Sequence, residues 1–135
     1  MDIKRYEPKD EAALFDLLRS EGEAWAGYFS PATMEQYKAA LQNSITYVLY
    51  VSNTLCGYIR VRDDDGFGIY IYDLLVNQNH RGKEYGRLVM EQVCRDFPGN
   101  TIYVMSDVDG YYEKLGYRRE GTVFEVIAKG QPPVK

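Results

Sequence analysis

The sequence predicts an α/β fold with one mixed, mostly antiparallel sheet flanked by helices, in the order β-α-α-β-β-β-α-β-α-β. Three observations carry this expectation. Ile69 to Val76 is an apolar run rich in β-branched and aromatic residues, as a buried strand requires. After a polar loop, Tyr85, Leu88, Val89, Gln92, Val93 and Phe97 recur at helical spacing, with Arg87, Glu91, Arg95 and Asp96 mostly on the other face. A length of 135 residues, 45% hydrophobic and 27% charged, suits a single domain over 1–135 with a proper core.

The remaining elements follow in order. Ile3 to Tyr6 reads as an edge strand. Pro8 and Asp10 then start a helix striped with Ala13, Leu14, Leu17 and Leu18, ending near Gly22. Gly22 to Ser30 reads as irregular chain carrying Trp25, Tyr28 and Phe29. Ser30-Pro31 and the box Thr33-x-x-Gln36 open a second helix through Met34, Tyr37 and Leu41. Ile45–Val51 and Leu55–Arg62 form a strand pair turning at Ser52-Asn53-Thr54. Asp63-Asp64-Asp65-Gly66 signals a hairpin rather than a metal site, and Phe67 to Val76 returns as the third strand of this meander. Past Pro98-Gly99-Asn100, Thr101 to Met105 reads as a strand. A short helix follows, capped by Asp107 or Asp109 and ended by Gly116. Tyr117–Arg119 and Thr122–Ala128 read as the closing strand, and residues 131–135 as a frayed tail.

Composition narrows the function. A net charge of −4 and a pI near 5.0 argue against nucleic acid as a partner. No apolar run has the length of a membrane span, and the opening residues do not form a signal peptide, so a cytoplasmic protein without membrane partners is expected. Cys56 and Cys94 lack metal-like spacing and read as small buried hydrophobes in a reducing compartment. With one histidine, no metal is expected.

The stretch joining the Phe67–Val76 strand to its helix carries the chemistry. Asn77-Gln78-Asn79-His80 leads into Arg81-Gly82-Lys83-Glu84-Tyr85-Gly86 at the start of the helix. A helix start offers unpaired N–H groups and a partial positive charge. Small residues let a phosphate approach the backbone, and Arg81 and Lys83 supply countercharge. The Walker pattern is absent, and a dinucleotide fold would need G-x-G-x-x-G near the first strand and a longer chain.

These residues resemble the GNAT superfamily of acetyl-CoA-dependent N-acetyltransferases. The family's pattern is an apolar strand end, here Leu74-Leu75-Val76, then R/Q-x-x-G-x-G/A opening a helix. Arg81 and Gly86 match, while Glu84 stands where the first key glycine belongs. A second block, Tyr111-Tyr112-Glu113-Lys114-Leu115-Gly116-Tyr117, resembles the family's Φ-Y-E-K-x-G-F signature. The resemblance covers nearly the whole chain.

The resemblance implies a GNAT-like domain that takes acetyl-CoA as co-substrate and acetylates a primary amine of a small molecule or protein. The cofactor would enter a V between the strands of Leu74–Val76 and Thr101–Met105. Its pantetheine arm would pair with the backbone near Leu75 and Val76, and its pyrophosphate would rest on Arg81, Gly82, Lys83, Glu84, Tyr85, Gly86 and Arg87. Tyr112 would be the acid that protonates the leaving thiolate, or alternatively a core aromatic. Trp25, Tyr28 and Phe29, with Tyr70 and Tyr72 on the strand, would border the acceptor, or the first three would plug the core. Asp73 reads as a structural hydrogen-bonding residue at a strand bulge, with Tyr70 and Tyr72 on the opposite face by alternation; Glu23 and Glu125 are other carboxylates for a base. The rival to an enzyme is a non-catalytic acyl-CoA-binding domain.

Overall fold

A computed structural model describes residues 1–134. The chain forms two compact units, one from Met1 to Val104 and one from Met105 onward. The first contains a five-stranded sheet in the order β1-β2-β3-β4-β5, made of β1 (Asp2–Arg5), β2 (Ile45–Val51), β3 (Thr54–Asp63), β4 (Ile69–Val76) and β5 (Ile102–Val104). β1 to β4 pair antiparallel and β5 joins β4 in parallel. The sheet is therefore mixed and mostly antiparallel, as expected.

Two helices before β2 supply one covering layer. A 3-10 turn at Pro8–Asp10 leads into α1 (Glu11–Ser20), and α3 (Met34–Asn43) follows a Ser30–Thr33 turn. Leu14, Leu17, Leu18, Tyr37 and Leu41 pack with Val48, Tyr58 and Leu75 in one buried cluster. The burial of large apolar chains such as Leu14 and Val48 is the main stabilising contribution of this face. Buried Asp10 joins helix start to sheet, accepting from the Glu7 N–H at 2.9 Å and the Tyr50 hydroxyl at 2.6 Å.

The other face takes α4 (Tyr85–Asp96), which buries Gly86, Val89, Met90 and Val93. The Tyr47 hydroxyl reaches Asp96 on this helix at 2.6 Å. Tyr47 pairs with Ile59, so Ile59 and Val61, two residues along β3, share that face.

Several local expectations are corrected. Gly22 to Ser30 is not irregular: it forms a 3-10 turn, Gly22–Trp25, and a one-turn helix α2, Ala26–Phe29. Thr33 makes no side-chain cap on α3; its hydroxyl donates to the Gly27 carbonyl, competing with the helix end as short hydroxyl side chains do. Phe67 stays outside β4, 86% exposed, because the turn through Asp65 (φ 48°) and Gly66 (φ 90°) extends to Gly68 (φ 128°). Cys94 is exposed rather than buried, lying on the outer side of α4, whereas Cys56 is buried.

In the second unit, α5 (Asp109–Lys114) has Val108, not Asp107 or Asp109, at its N-cap. Asp109 instead lies in the first turn and pairs with Arg119. The closing strand is not formed: residues 117–128 have no regular secondary structure, and Val123, Phe124 and Val126 are exposed. Strand propensity without a partner's hydrogen bonds does not make a strand. The tail is tethered by the Val134 N–H to Glu125 at 3.1 Å, and Lys135 lies outside the described residues. Among the described residues no helix is long and apolar enough to cross a membrane, and no group of three metal-capable side chains occurs.

Candidate active site

β4 is paired along both edges only at its start. On the β5 side pairing runs Ile69–Ile102, Tyr70–Tyr103 and Ile71–Val104 and stops there, so Tyr72 to Val76 continue past β5 with β3 as their only strand partner. Gly57 lets β3 stay close at this end: a Cβ there would lie 3.1 Å from the Leu75 carbonyl oxygen. The backbone of Leu75 and Val76 therefore offers one edge to an extended ligand. The Val76 carbonyl, however, already accepts from Arg81 Nε at 3.0 Å.

The loop beyond β4 is built by its own polar side chains. A 3-10 turn, Gln78–His80, is capped by the Asn77 side chain, which accepts from the Asn79 N–H at 2.8 Å. Gly82 then adopts φ 80° and Glu84 φ 63°, both left-handed. This conformation explains why glycine suits position 84, where a side chain costs about 1 kcal/mol. Among the described residues the amides of Gly82, Lys83 and Glu84 have no hydrogen-bond partner, and α4 opens directly after them without a side-chain cap. Unpaired amides followed by a helix start fit a phosphate group.

The charges around this loop are unevenly available. Lys83 is exposed and makes no ion pair among the described residues. Arg81 Nη2 lies 2.8 Å from Glu21 Oε2. Arg87 is held by Glu84, through Nε at 3.3 Å and Nη2 at 3.2 Å, and by Glu91 at 2.8 Å. The Glu84 carboxylate is thus turned along the helix toward Arg87. Sequence reasoning did not single out Glu21, which lies far from the loop in the chain.

Behind β4 lies a polar knot in an aromatic wall. Asp73 is buried, and its Oδ2 accepts from Arg60 Nε and from the Tyr37 hydroxyl, each at 2.6 Å. Tyr37 has one proton and gives it to Asp73, so the Tyr58 hydroxyl, 2.7 Å away, donates to Tyr37. Burial, then the Asp73 charge, pushes the Tyr37 phenol well up; burial, then Tyr37, does the same for Tyr58. Burial pulls Arg60 down, but its bond to Asp73 and that carboxylate's charge outweigh it and hold the guanidinium protonated. Asp73 is a hydrogen-bonding residue at a bulge, as expected: Arg60 pairs with Asp73 and Val61 with Ile71, leaving Tyr72 as the extra residue.

That bulge corrects the facing of Tyr70. Arg60 and Arg62 point to one side of β3, and their partners are Asp73 and Tyr70, so Tyr70 shares the Asp73 face instead of opposing it. Tyr72 joins them, its ring 5.4 Å below the Arg60 guanidinium. Tyr70 stacks on Tyr103 at 5.1 Å. Trp25 and Tyr28 complete the wall: their rings lie 5.2 Å apart, Tyr28 is 4.7 Å from Tyr37, and Trp25 is 6.4 Å from Tyr58. Trp25, Tyr28 and Phe29 all pack, half-buried, on the core cluster.

Tyr112 belongs to the second unit, on α5, between Tyr111 at 5.0 Å and Tyr117 at 6.3 Å. Burial, then the neighbouring phenols and Asp107, raises its pKa to about 12. Its proton is held throughout the neutral range, as a donor requires. Glu125 accepts from the Val134 N–H, and Glu23 is exposed on the turn before Trp25. A concavity of about 470 Å³ lies elsewhere, between Met1, Lys4, Lys9, Tyr50 and Asn53, and contains none of these residues.

Known proteins share this architecture. A GNAT-family acetyltransferase from Streptococcus pneumoniae superimposes with a TM-score of 0.73 at 20% identity, covering 95% of this chain and 98% of that one. An aminoglycoside 6'-acetyltransferase type Ii gives 0.73 at 23% identity, covering 90% and 85%. At these identities the likeness is one of fold. In sequence, the uncharacterized N-acetyltransferase ycf52 of Porphyra purpurea is 26% identical over 97 residues, covering 64% of this chain. The corresponding protein of Pyropia yezoensis is 25% identical over the same length. The chain spans 56% of the length of each of these relatives. The model of the acetyltransferase (GNAT) family matches residues 12–117, from α1 through the loop opening α4 to the end of the Tyr111–Tyr117 block, and the chain belongs to that family.

Proposed function

We propose that the protein is an acetyl-CoA-dependent N-acetyltransferase that moves the acetyl group directly to a primary amine of a small molecule or a protein. The observation that carries this reading is the run of amides from Gly82 to Glu84 that lack a partner among the described residues, opening α4 next to the end of β4 whose β5-side edge is unpaired. Those amides, with the first turn from Tyr85 and Gly86, would hold the pyrophosphate; Lys83 and Arg81 would balance its charge. Arg87, engaged by two carboxylates, would contribute less. Leu75 and Val76 would pair with the pantetheine arm through their backbone. Acetyl-CoA, when bound, supplies the activated thioester.

Tyr112 would donate its phenolic proton to the departing thiolate, consistent with a pKa near 12 that keeps it protonated. Trp25, Tyr28 and Phe29 would wall the acceptor, with Tyr70 and Tyr72 on the same side of β4 as the Asp73 knot. Asp73 is unsuited as a base because two donors already occupy one of its oxygens. The amine would arrive neutral from solution, or lose its proton through Glu23 or Glu125. The two unpaired cysteines support a cytoplasmic setting.

A thiol-release screen with acetyl-CoA over polyamines, aminoglycosides, amino acids and peptide N-termini tests the reading. Amine-dependent release with an acetylated product supports it. CoA binding without release for any amine class would leave the acyl-CoA-binding alternative.

A further inference from the structure

The end of α1 grips the loop that opens α4. Glu21 follows the last residue of α1, and its side chain is only 9% exposed despite its charge. Oε1 accepts from the Gln78 N–H at 3.2 Å and Oε2 from Arg81 Nη2 at 2.8 Å. The preceding residue, Ser20, accepts from Asn77 Nδ2 at 3.4 Å. Arg81, so oriented, turns its Nε onto the Val76 carbonyl at 3.0 Å. One carboxylate therefore ties the first helix to both ends of the Gln78–Arg81 turn, and through Arg81 to the tip of β4.

A largely buried carboxylate carries a desolvation cost that a fully exposed surface pair would avoid. Here the cost is offset by a guanidinium and a backbone amide of the very loop whose downstream amides stand unpaired. We infer that Glu21 is a positioning residue for the cofactor loop: it sets the guanidinium of Arg81 and the entry of the turn so that the Gly82–Glu84 amides and the Val76 edge face one ligand. The inference rests on the reading of that loop as the CoA phosphate site. Glu21 also directly precedes the turn carrying Trp25, so the same residue joins the aromatic segment to the loop.

Calorimetric titration with CoA tests it, on wild type, Glu21→Ala, Arg81→Ala and the double variant, each with its melting temperature. Glu21→Ala should weaken CoA binding about tenfold, but less than about twofold once Arg81 is already alanine. That non-additivity is a readout a general loss of stability would not produce. Glu21→Gln, which keeps an acceptor for the Gln78 N–H, should weaken binding less than Glu21→Ala; it replaces alanine in the cycle if that variant does not fold. Unchanged affinity in Glu21→Ala, or effects that simply multiply in the double variant, would overturn the role. Tighter binding in Glu21→Ala would also overturn it, by making Glu21 a competitor for Arg81. Wild type that fails to bind CoA would instead remove the functional reading beneath it.

Discussion

Tyr37 and Asp73, from a helix and a strand 36 residues apart, meet in a 2.6 Å hydrogen bond that closes the buried face of the sheet over the bulged stretch of β4. Asp73 also neutralises Arg60, whose side chain is 14% exposed. Removing the carboxylate leaves a largely buried guanidinium without its counter-ion and the Tyr37 hydroxyl without its acceptor. Asp73→Ala should therefore destabilise the protein by about 3 kcal/mol, measured by chemical denaturation. A loss no larger than that of an exposed surface substitution would show that the knot contributes little.

Glu84 invites a comparison of two substitutions. Alanine and glycine both remove the carboxylate, but only glycine relieves the left-handed backbone at φ 63°. Glu84→Gly should be more stable than Glu84→Ala by about 1 kcal/mol. CoA affinity should differ little between wild type and either variant, since the side chain turns toward Arg87. A large gain in affinity in both variants would mean that the carboxylate repels the phosphates.

Tyr112→Phe keeps the ring and removes the donor. Turnover should fall about 10²-fold with little change in CoA affinity, as expected for an interaction made only in the transition state. Unchanged turnover where chemistry limits the rate would make Tyr112 a packing residue.

Alkaline stability follows from the tyrosines. Burial is the leading cause in raising Tyr6, Tyr47, Tyr50 and Tyr112 from 10.0 to about 12, and Tyr37 and Tyr58 rise as well. The unfolded chain ionises these phenols near pH 10, whereas the folded chain holds their protons. Their contribution to stability is complete below pH 10 and is lost as pH climbs toward 12. In an ultraviolet titration, part of the 13 tyrosines should ionise early and the rest only with unfolding. A single smooth titration of all of them near pH 10 in the folded protein would contradict this.

What could be read from sequence depended on whether the signal was local. The period of Val89 and Val93 and the run Ile69–Val76 located α4 and β4 because each buries a regular face. Alternation misplaced Tyr70 because one extra residue at Tyr72 reverses the phase, and a bulge expected near Asp73 did not say which residue is inserted. The motif exposed Glu84 as a departure, while the reason, a left-handed backbone, is visible only in the fold. Glu21 was illegible because its partners stand 57 and 60 residues away. At Thr122–Ala128 strand propensity was plain, but propensity does not supply a neighbouring edge.

The exposed sulfur on α4 bears on how activity is to be measured. Any reagent that reports free CoA by its thiol will also meet Cys94, while Cys56 is sheltered. Burial, then Glu91, raises the Cys94 pKa, so the reactive thiolate is scarce at neutral pH and grows as the buffer becomes alkaline. The protein itself should contribute a slow background of up to one equivalent per folded chain, faster at higher pH and independent of any amine. Cys94→Ser would remove that background, and the same position would accept a single maleimide dye on the outside of the helix that begins at the cofactor loop.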